Sequence, residues 1–224
     1  MKKRILIIAP HPDDETLGCG GTILKHVNEG DEVFWLIITN IFPSIHWSPE
    51  VVKIRNKEID KVFHSYGFSK IFNLELPPSE LDKFSLTSLV SLIGNVINEV
   101  GPSIIYINNY SDIHSDHRRV FDAAYSCTKH FRYPTVQKVL LYETLSETEY
   151  SPPISTFQFT PNVFIDVTPF IEKKLSIMKI YKSEMMPDNL PRSSSSILAL
   201  NRFRGSRIGV KYAEAFMLLI DIVK

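Results

Sequence analysis

Cysteine is almost missing from this chain. Cys19 and Cys127 are the only two in 224 residues, far apart and without ligand-like spacing. That excludes a disulfide scaffold and a thiolate metal knuckle, and leaves two buried free thiols in a reducing cytoplasm as the expectation. Neither sign of charge is in excess, since 25 Lys and Arg balance 25 Asp and Glu. No global field therefore favours nucleic acid or an anionic membrane, and anion recognition has to be local. Apolar runs of the ~18 residues that a membrane span needs are absent. Lys2-Lys3-Arg4 precedes only Ile5-Leu6-Ile7-Ile8 before Pro10, too short for the apolar region of a signal peptide. Glycine is scarce at 9 residues, and Gly18, Gly20 and Gly21 do not form the Gly-x-Gly-x-x-Gly dinucleotide fingerprint. No internal repeat is found, and 44% hydrophobic with 22% charged residues is the make-up of an ordinary globular protein. A single domain over 1–224 is expected.

What is present is an alternation of strand and helix signals. Ile5 to Ile8 reads as a buried strand, Thr16 to Gly30 as a helix and Glu32 to Ile38 as a second strand. Ser48 and Pro49 open a helix to Tyr66, closed by Gly67. Lys70 to Leu74 is a third strand, and Ser85 starts a helix stopped by Gly101-Pro102. Ser103 to Ile107 is a strand, Asp116 is placed to cap a helix through His130, and Lys138 to Tyr142 is a strand. The pattern predicts an α/β fold, a Rossmann-like and mostly parallel sheet with helices on both faces. In the last third, Phe164 to Val167 reads as a strand and Thr168-Pro169 as a helix start. Pro187 to Ser196 reads as a mobile loop, and Tyr212 to Ile222 as either helix or buried strand.

Two polar clusters follow two of the apolar strands. Ala9-Pro10-His11-Pro12-Asp13-Asp14-Glu15 follows the first, and His114-Ser115-Asp116-His117 follows the strand ending at Ile107. Open α/β sheets hold their ligands at the carboxyl ends of strands, so parallel neighbours would bring the clusters together. A catalytic zinc takes three protein ligands and keeps one position free. His11, Asp14 and one histidine of the second cluster fill that quota, which leaves Asp13 as a spare carboxylate and candidate general base. Arg55 lies on the apolar stripe of its helix, where it needs a carboxylate or a substrate oxygen as partner.

In both clusters, in order and at this separation, the chain resembles the LmbE/PIG-L-like zinc-dependent N-acetylglucosaminyl deacetylases. Arg55-Asn56-Lys57-Glu58 and Tyr212-Ala213-Glu214-Ala215-Phe216 extend the likeness over most of the chain. The resemblance implies His11, Asp14 and His117 as metal ligands, and Asp13 as general base. It implies His114 as oxyanion stabiliser or proton donor to the leaving amine, acting as a buried imidazolium, with Asp116 orienting a cluster histidine. Arg55 would contact the substrate. Mixed His/Asp ligands favour Zn2+, and Fe2+ or Co2+ would accept the same three.

The expected activity is hydrolysis of the acetamide of an N-acetylated amino sugar, a small molecule, with neither nucleic acid nor membrane as partner. A homo-oligomer is compatible with the sequence. Two rivals stand beside it: a metal-dependent amidase or esterase on a non-sugar acyl group, and a non-catalytic metal-binding protein of the same fold. Arg118, Arg119, Arg202, Arg204 and Arg207 are further candidates to read a phosphate, and Trp47, Tyr142 and Glu143 to shape a pocket.

Overall fold

The computed structural model describes residues 2–223. Among the described residues seven strands form one sheet in the order β3-β2-β1-β4-β5-β7-β6. Strands β1 (Arg4–Ala9), β2 (Glu32–Thr39), β3 (Lys70–Leu76), β4 (Ile104–Asn108) and β5 (Lys138–Tyr142) run parallel. The remaining two, β6 (Val163–Asp166) and β7 (Ala213–Asp221), are antiparallel to their neighbours, and β7 is inserted between β5 and β6. The ambiguous run from Tyr212 is thus a strand.

Side chains of β1 alternate between two cores, as the two-residue period of a strand requires. Ile5, Ile7 and Ala9 pack with α1 (Asp14–Asn28), α2 (Pro49–Tyr66) and α5 (Ile171–Met178). Leu6 and Ile8 pack with α3 (Leu86–Val100) and α4 (Ser115–Ser126) on the opposite face. Both faces are therefore covered, which is why these strands read as unbroken apolar runs. Close packing of α1 on the sheet depends on Gly18, where a Cβ would meet the Tyr142 ring at 2.2 Å. Among the described residues no helix is long and apolar enough to cross a membrane, and Cys19 and Cys127 are free and buried.

Several helix ends follow the expected chemistry. Ser48 accepts from the Val51 amide at the start of α2, and Gly67 closes it with φ 76°. Ser85 and Gly101 do the same for α3. Three expectations are corrected. The end of the loop expected over Pro187 to Ser196 is helical: Ser193 accepts from the Ser196 amide and starts α6 (Ser194–Ser206). Helix α4 ends at Ser126 rather than His130, and its N-cap is His114 rather than Asp116. The Asp116 carboxylate is engaged elsewhere, accepting from the amides of Ser79 and Leu81 at 2.6 and 3.3 Å.

Strand order fixes where the site lies. From β1 the chain moves outward through β2 to β3, then returns through α3 to β4 on the other side of β1. The crevice between β1 and β4 is a topological switch point. Pairing of Ile5 with Ile104 and Ile7 with Tyr106 brings the loops after both strands to the same level.

Candidate active site

The first loop is built around a strained residue. Asp13 stands at the N-cap position of α1 with φ 133° and ψ −27°, and its side chain makes no capping bond. That conformation is costly for a residue with a Cβ, and it persists where the surroundings over-determine it. Glu15 is the main determinant: its fully buried carboxylate accepts from the Asp13 amide (3.0 Å), the Thr16 hydroxyl (2.6 Å) and the Tyr181 hydroxyl (3.0 Å). Burial pushes Glu15 up to about 7. Burial, and then the neighbouring Asp14 charge, push Asp13 well above the ordinary carboxylate value.

The switch point brings His11, Asp14 and His117 together. His11 Nδ1 lies 3.4 Å from Asp14 Oδ2, His117 Nε2 lies 3.3 Å from the same oxygen, and the two ring nitrogens are 3.3 Å apart. Tetrahedral ligands held at about 2.0–2.1 Å from a common centre are roughly 3.3–3.4 Å from one another. The three atoms thus have the spacing and donor chemistry of a zinc-type site. The local charge also calls for a cation, because Asp14, Asp112 and Asp116 all face these two imidazoles. Although burial opposes it, hydrogen bonds donated to the Asp116 and Asp14 carboxylates hold His11 up at about 9, and burial of Asp14 is overridden by His117 and His11, which hold it far below the carboxylate range.

Asp116 meets a cluster histidine, but that histidine is His11, through Nε2 at 3.1 Å. His117 is oriented by a residue the sequence reading did not single out for the purpose. Asp112 Oδ2 accepts from His117 Nδ1 at 2.9 Å, and Asp112 Oδ1 accepts from the Thr148 hydroxyl at 2.7 Å. A carboxylate five residues before a candidate ligand histidine, in the strand-to-helix loop, was the only available signal. A cavity is lined by His11, Asp13, Asp14 and His114, and His114 Nδ1 accepts from the Asp116 amide at 3.1 Å. The ring proton is therefore on Nε2, and burial, followed by His11 and His117, holds the imidazole down at about 4. This corrects the expectation of an imidazolium: His114 offers a neutral N–H donor.

Arg55 reaches the cavity wall but is saturated by protein groups. It donates to Pro12 O at 3.2 Å and Ser183 Oγ at 2.8 Å, pairs with Glu184, and has Glu58 at 3.5 Å. Its anchor at Pro12 supports the peptide that precedes Asp13. Among the other expected arginines, Arg118 and Arg119 donate to backbone carbonyls of Asp112 and Phe84, and Arg204 forms a two-pronged pair with Glu143. Arg192, not singled out in the sequence, lines the cavity and donates to Ser146 Oγ at 3.3 Å and Glu184 O at 3.0 Å. Trp47 lines the cavity too, while Tyr142 is core.

Behind the site a buried pair ties the last strand to the first helix. Glu214 of β7 accepts from the Gly21 and Thr22 amides, both at 2.8 Å, and from Lys174 Nζ at 2.7 Å. Lys174 also donates to Leu17 O at 2.9 Å.

A doubly wound sheet with a His/Asp/His cluster and a spare carboxylate at its switch point belongs to the α/β proteins that can hold one divalent cation beside a base. Residues 6–128, which span both clusters, match the PIG-L family, described as GlcNAc-PI de-N-acetylase, and the chain belongs to that family. Over 228 residues it is 24% identical to the diacetylchitobiose deacetylase of Thermococcus kodakarensis, covering 98% of this chain and 84% of that one. It is 28% identical over 128 residues to a probable N-acetyl-α-D-glucosaminyl L-malate deacetylase 2 of Bacillus cereus, covering 52% and 57% of the two. The solved structure of N,N'-diacetylchitobiose deacetylase from Pyrococcus horikoshii with its inhibitor MPG superposes with a TM-score of 0.77 at 25% identity, over 97% of this chain and 84% of that one. Family and relatives make this chain a hydrolytic N-deacetylase.

Proposed function

We propose that the protein removes the acetyl group from a small N-acetylated amino sugar of the N-acetylglucosamine type, with one Zn2+ held by His11, Asp14 and His117. The observation that carries the metal assignment is the 3.3–3.4 Å triangle of donor atoms, reinforced by the carboxylates around it. The substrate class rests on the relatives, which are named for N-acetylated sugars. When bound, the cation supplies Lewis acidity, lowering the pKa of water to about 7 and polarising a carbonyl. The residues of the chain do the rest. Asp13, with its raised affinity for a proton, takes one from the attacking water and returns it to the departing amine. His114, which lines the cavity and whose Nδ1 is taken by the Asp116 amide, donates from Nε2–H to the carbonyl oxygen as it gains charge. Glu15, and Arg55 through Pro12, hold the Asp13 backbone in its strained conformation. The two buried free thiols suit a cytoplasmic setting.

The test is acetate release from free, glycosidic and nucleotide-linked N-acetylglucosamine, with metal-free and zinc-reloaded protein in parallel. Zinc-dependent release that Asp13→Asn reduces by at least ~10³-fold is expected, the upper range for loss of a proton-transfer group. A protein that binds one zinc yet releases no acetate from any of these compounds sinks the sugar reading and points to another acyl substrate.

A further inference from the structure

The face that α2 turns to the cavity consists of Val51, Ile54, Arg55 and Glu58, spaced three and four residues apart. Its two halves differ in character. Arg55 and Glu58 form the inner half, with side chains only 12% and 8% exposed, tied into the charged network beneath Asp13. Val51 and Ile54 form the outer half, and they are open, at 44% and 55% exposure. The helix does not need them for packing, since its buried apolar residues are Ile59, Val62 and Tyr66. The segment before α2 extends the same surface. Ile41 and Trp47 line the cavity beside Val51 and Ile54, and every cavity-lining residue between 41 and 54 is apolar. Ile45, in the same segment, is 96% exposed.

Scattered exposed apolar residues are unremarkable, but a continuous apolar wall opening from a site of about 540 Å³ marks a contact made by a ligand or partner. The position of the wall selects the occupant. An acetamide has to reach the His11/Asp14/His117 cluster on the floor, so whatever lies against the mouth is attached to the sugar rather than part of its acetyl end. We infer that the substrate carries an apolar hydrocarbon aglycone that lies on Trp47, Val51 and Ile54. This inference rests on the amino-sugar reading above and adds to it an amphiphilic substrate: a polar ring on the charged floor, and a hydrocarbon on the wall.

The test uses the zinc-loaded full chain and the methyl, propyl and hexyl glycosides of N-acetylglucosamine, below the concentrations at which they self-associate. A fully buried methylene is worth about 4-fold in affinity. A wall that covers one side of the chain gives roughly half of that free energy, about 2-fold per methylene. The kcat/KM ratio of hexyl to methyl glycoside is then about 30, and in Val51→Ser/Ile54→Ser it falls below about 5. Both positions are exposed, so the variant folds, which its Tm verifies. A ratio near 1 in the wild type, or one unchanged in the variant, overturns the inference. So does a wild-type dimer, seen by sedimentation, that the two serines dissociate while the ratio stays near 1, because the wall is then a contact between copies. If no glycoside releases acetate, calorimetric binding of the same series decides: a 30-fold preference for hexyl keeps the apolar subsite and removes only the deacetylase chemistry.

Discussion

Asp112→Asn tests whether the proposed site is set from behind. The Asp112 carboxylate is fully buried, 2.9 Å from His117 Nδ1 and 2.7 Å from the Thr148 hydroxyl. By accepting from Nδ1 it directs the lone pair of Nε2 at His11 and Asp14, and its negative charge raises the basicity of that nitrogen. Asparagine keeps the shape. Its amide oxygen can still accept from His117, while its NH2 faces Thr148 Oγ1, which has lone pairs to accept it. The charge is lost. Removal of such a carboxylate costs 10- to 100-fold in metal affinity, about 1.4–2.7 kcal/mol. Zinc affinity measured by chelator competition is expected to weaken by that factor, and acetate release at saturating zinc to recover to within about 10-fold of the wild type. Asp112→Ala goes further, leaving a buried N–H without a partner at an added cost to stability of about 1–3 kcal/mol. Zinc affinity in Asp112→Asn within twofold of the wild type would refute the argument, since the bond to His117 would then have no bearing on the metal.

Lys174→Met removes one partner of a buried ion pair and leaves Glu214 charged against two amides. A loss of about 3–5 kcal/mol is expected, or roughly 6–20 °C in Tm for a domain of this size, read by calorimetry on the zinc-loaded protein; an unchanged Tm would show that the pair is not needed for stability. His26 supplies a pH test away from the proposed metal ligands. Burial lowers its pKa below the ordinary 6.5, although Asp31 at 2.8 Å opposes this. The unfolded chain therefore binds the extra proton, and the stability contributed by neutral His26 is complete above pH 6.5 and lost as pH falls through and below that value. Relative to His26→Gln, the wild type should lose stability between pH 7 and 5 with a slope of at most about 1.4 kcal/mol per pH unit; a difference that grows towards acid contradicts the assignment.

Much of this arrangement was legible in the sequence because local signals agreed with the global fold. Strands β1, β2, β4 and β5 are buried on both faces and read as apolar runs, and the polar clusters follow two of them, the first directly and the second after a short loop. Most of the misreadings share one cause, a polar group claimed by a distant partner. Asp116 has the composition of a cap, but the amides of Ser79 and Leu81 and the His11 ring hold its carboxylate, so His114 caps instead. Asp112 and Arg192 act across loops that no periodicity relates. The run from Ser193 has the composition of a loop, and only the Ser193 bond to the Ser196 amide makes it a helix start. Strand β7 was ambiguous because an apolar run fits either structure until its neighbours, β5 and β6, are known.

The grip of Glu214 on the Gly21 and Thr22 amides has a consequence for biosynthesis. The motif that carries His11, Asp13 and Asp14 is made well before the residue that clamps the helix it opens, which follows roughly 200 positions later. At translation rates of about 5–20 residues per second, that interval is about 10–40 s. Near its end, once β5 and β6 have been made, the slot between them is empty and both flanking strand edges are unpaired for the roughly 50 residues that precede β7, or about 2–9 s. The nascent chain therefore depends on whatever shields those edges until β7 arrives, and a pause in translation just upstream of Ala213 prolongs the exposure without altering a single residue of the finished protein.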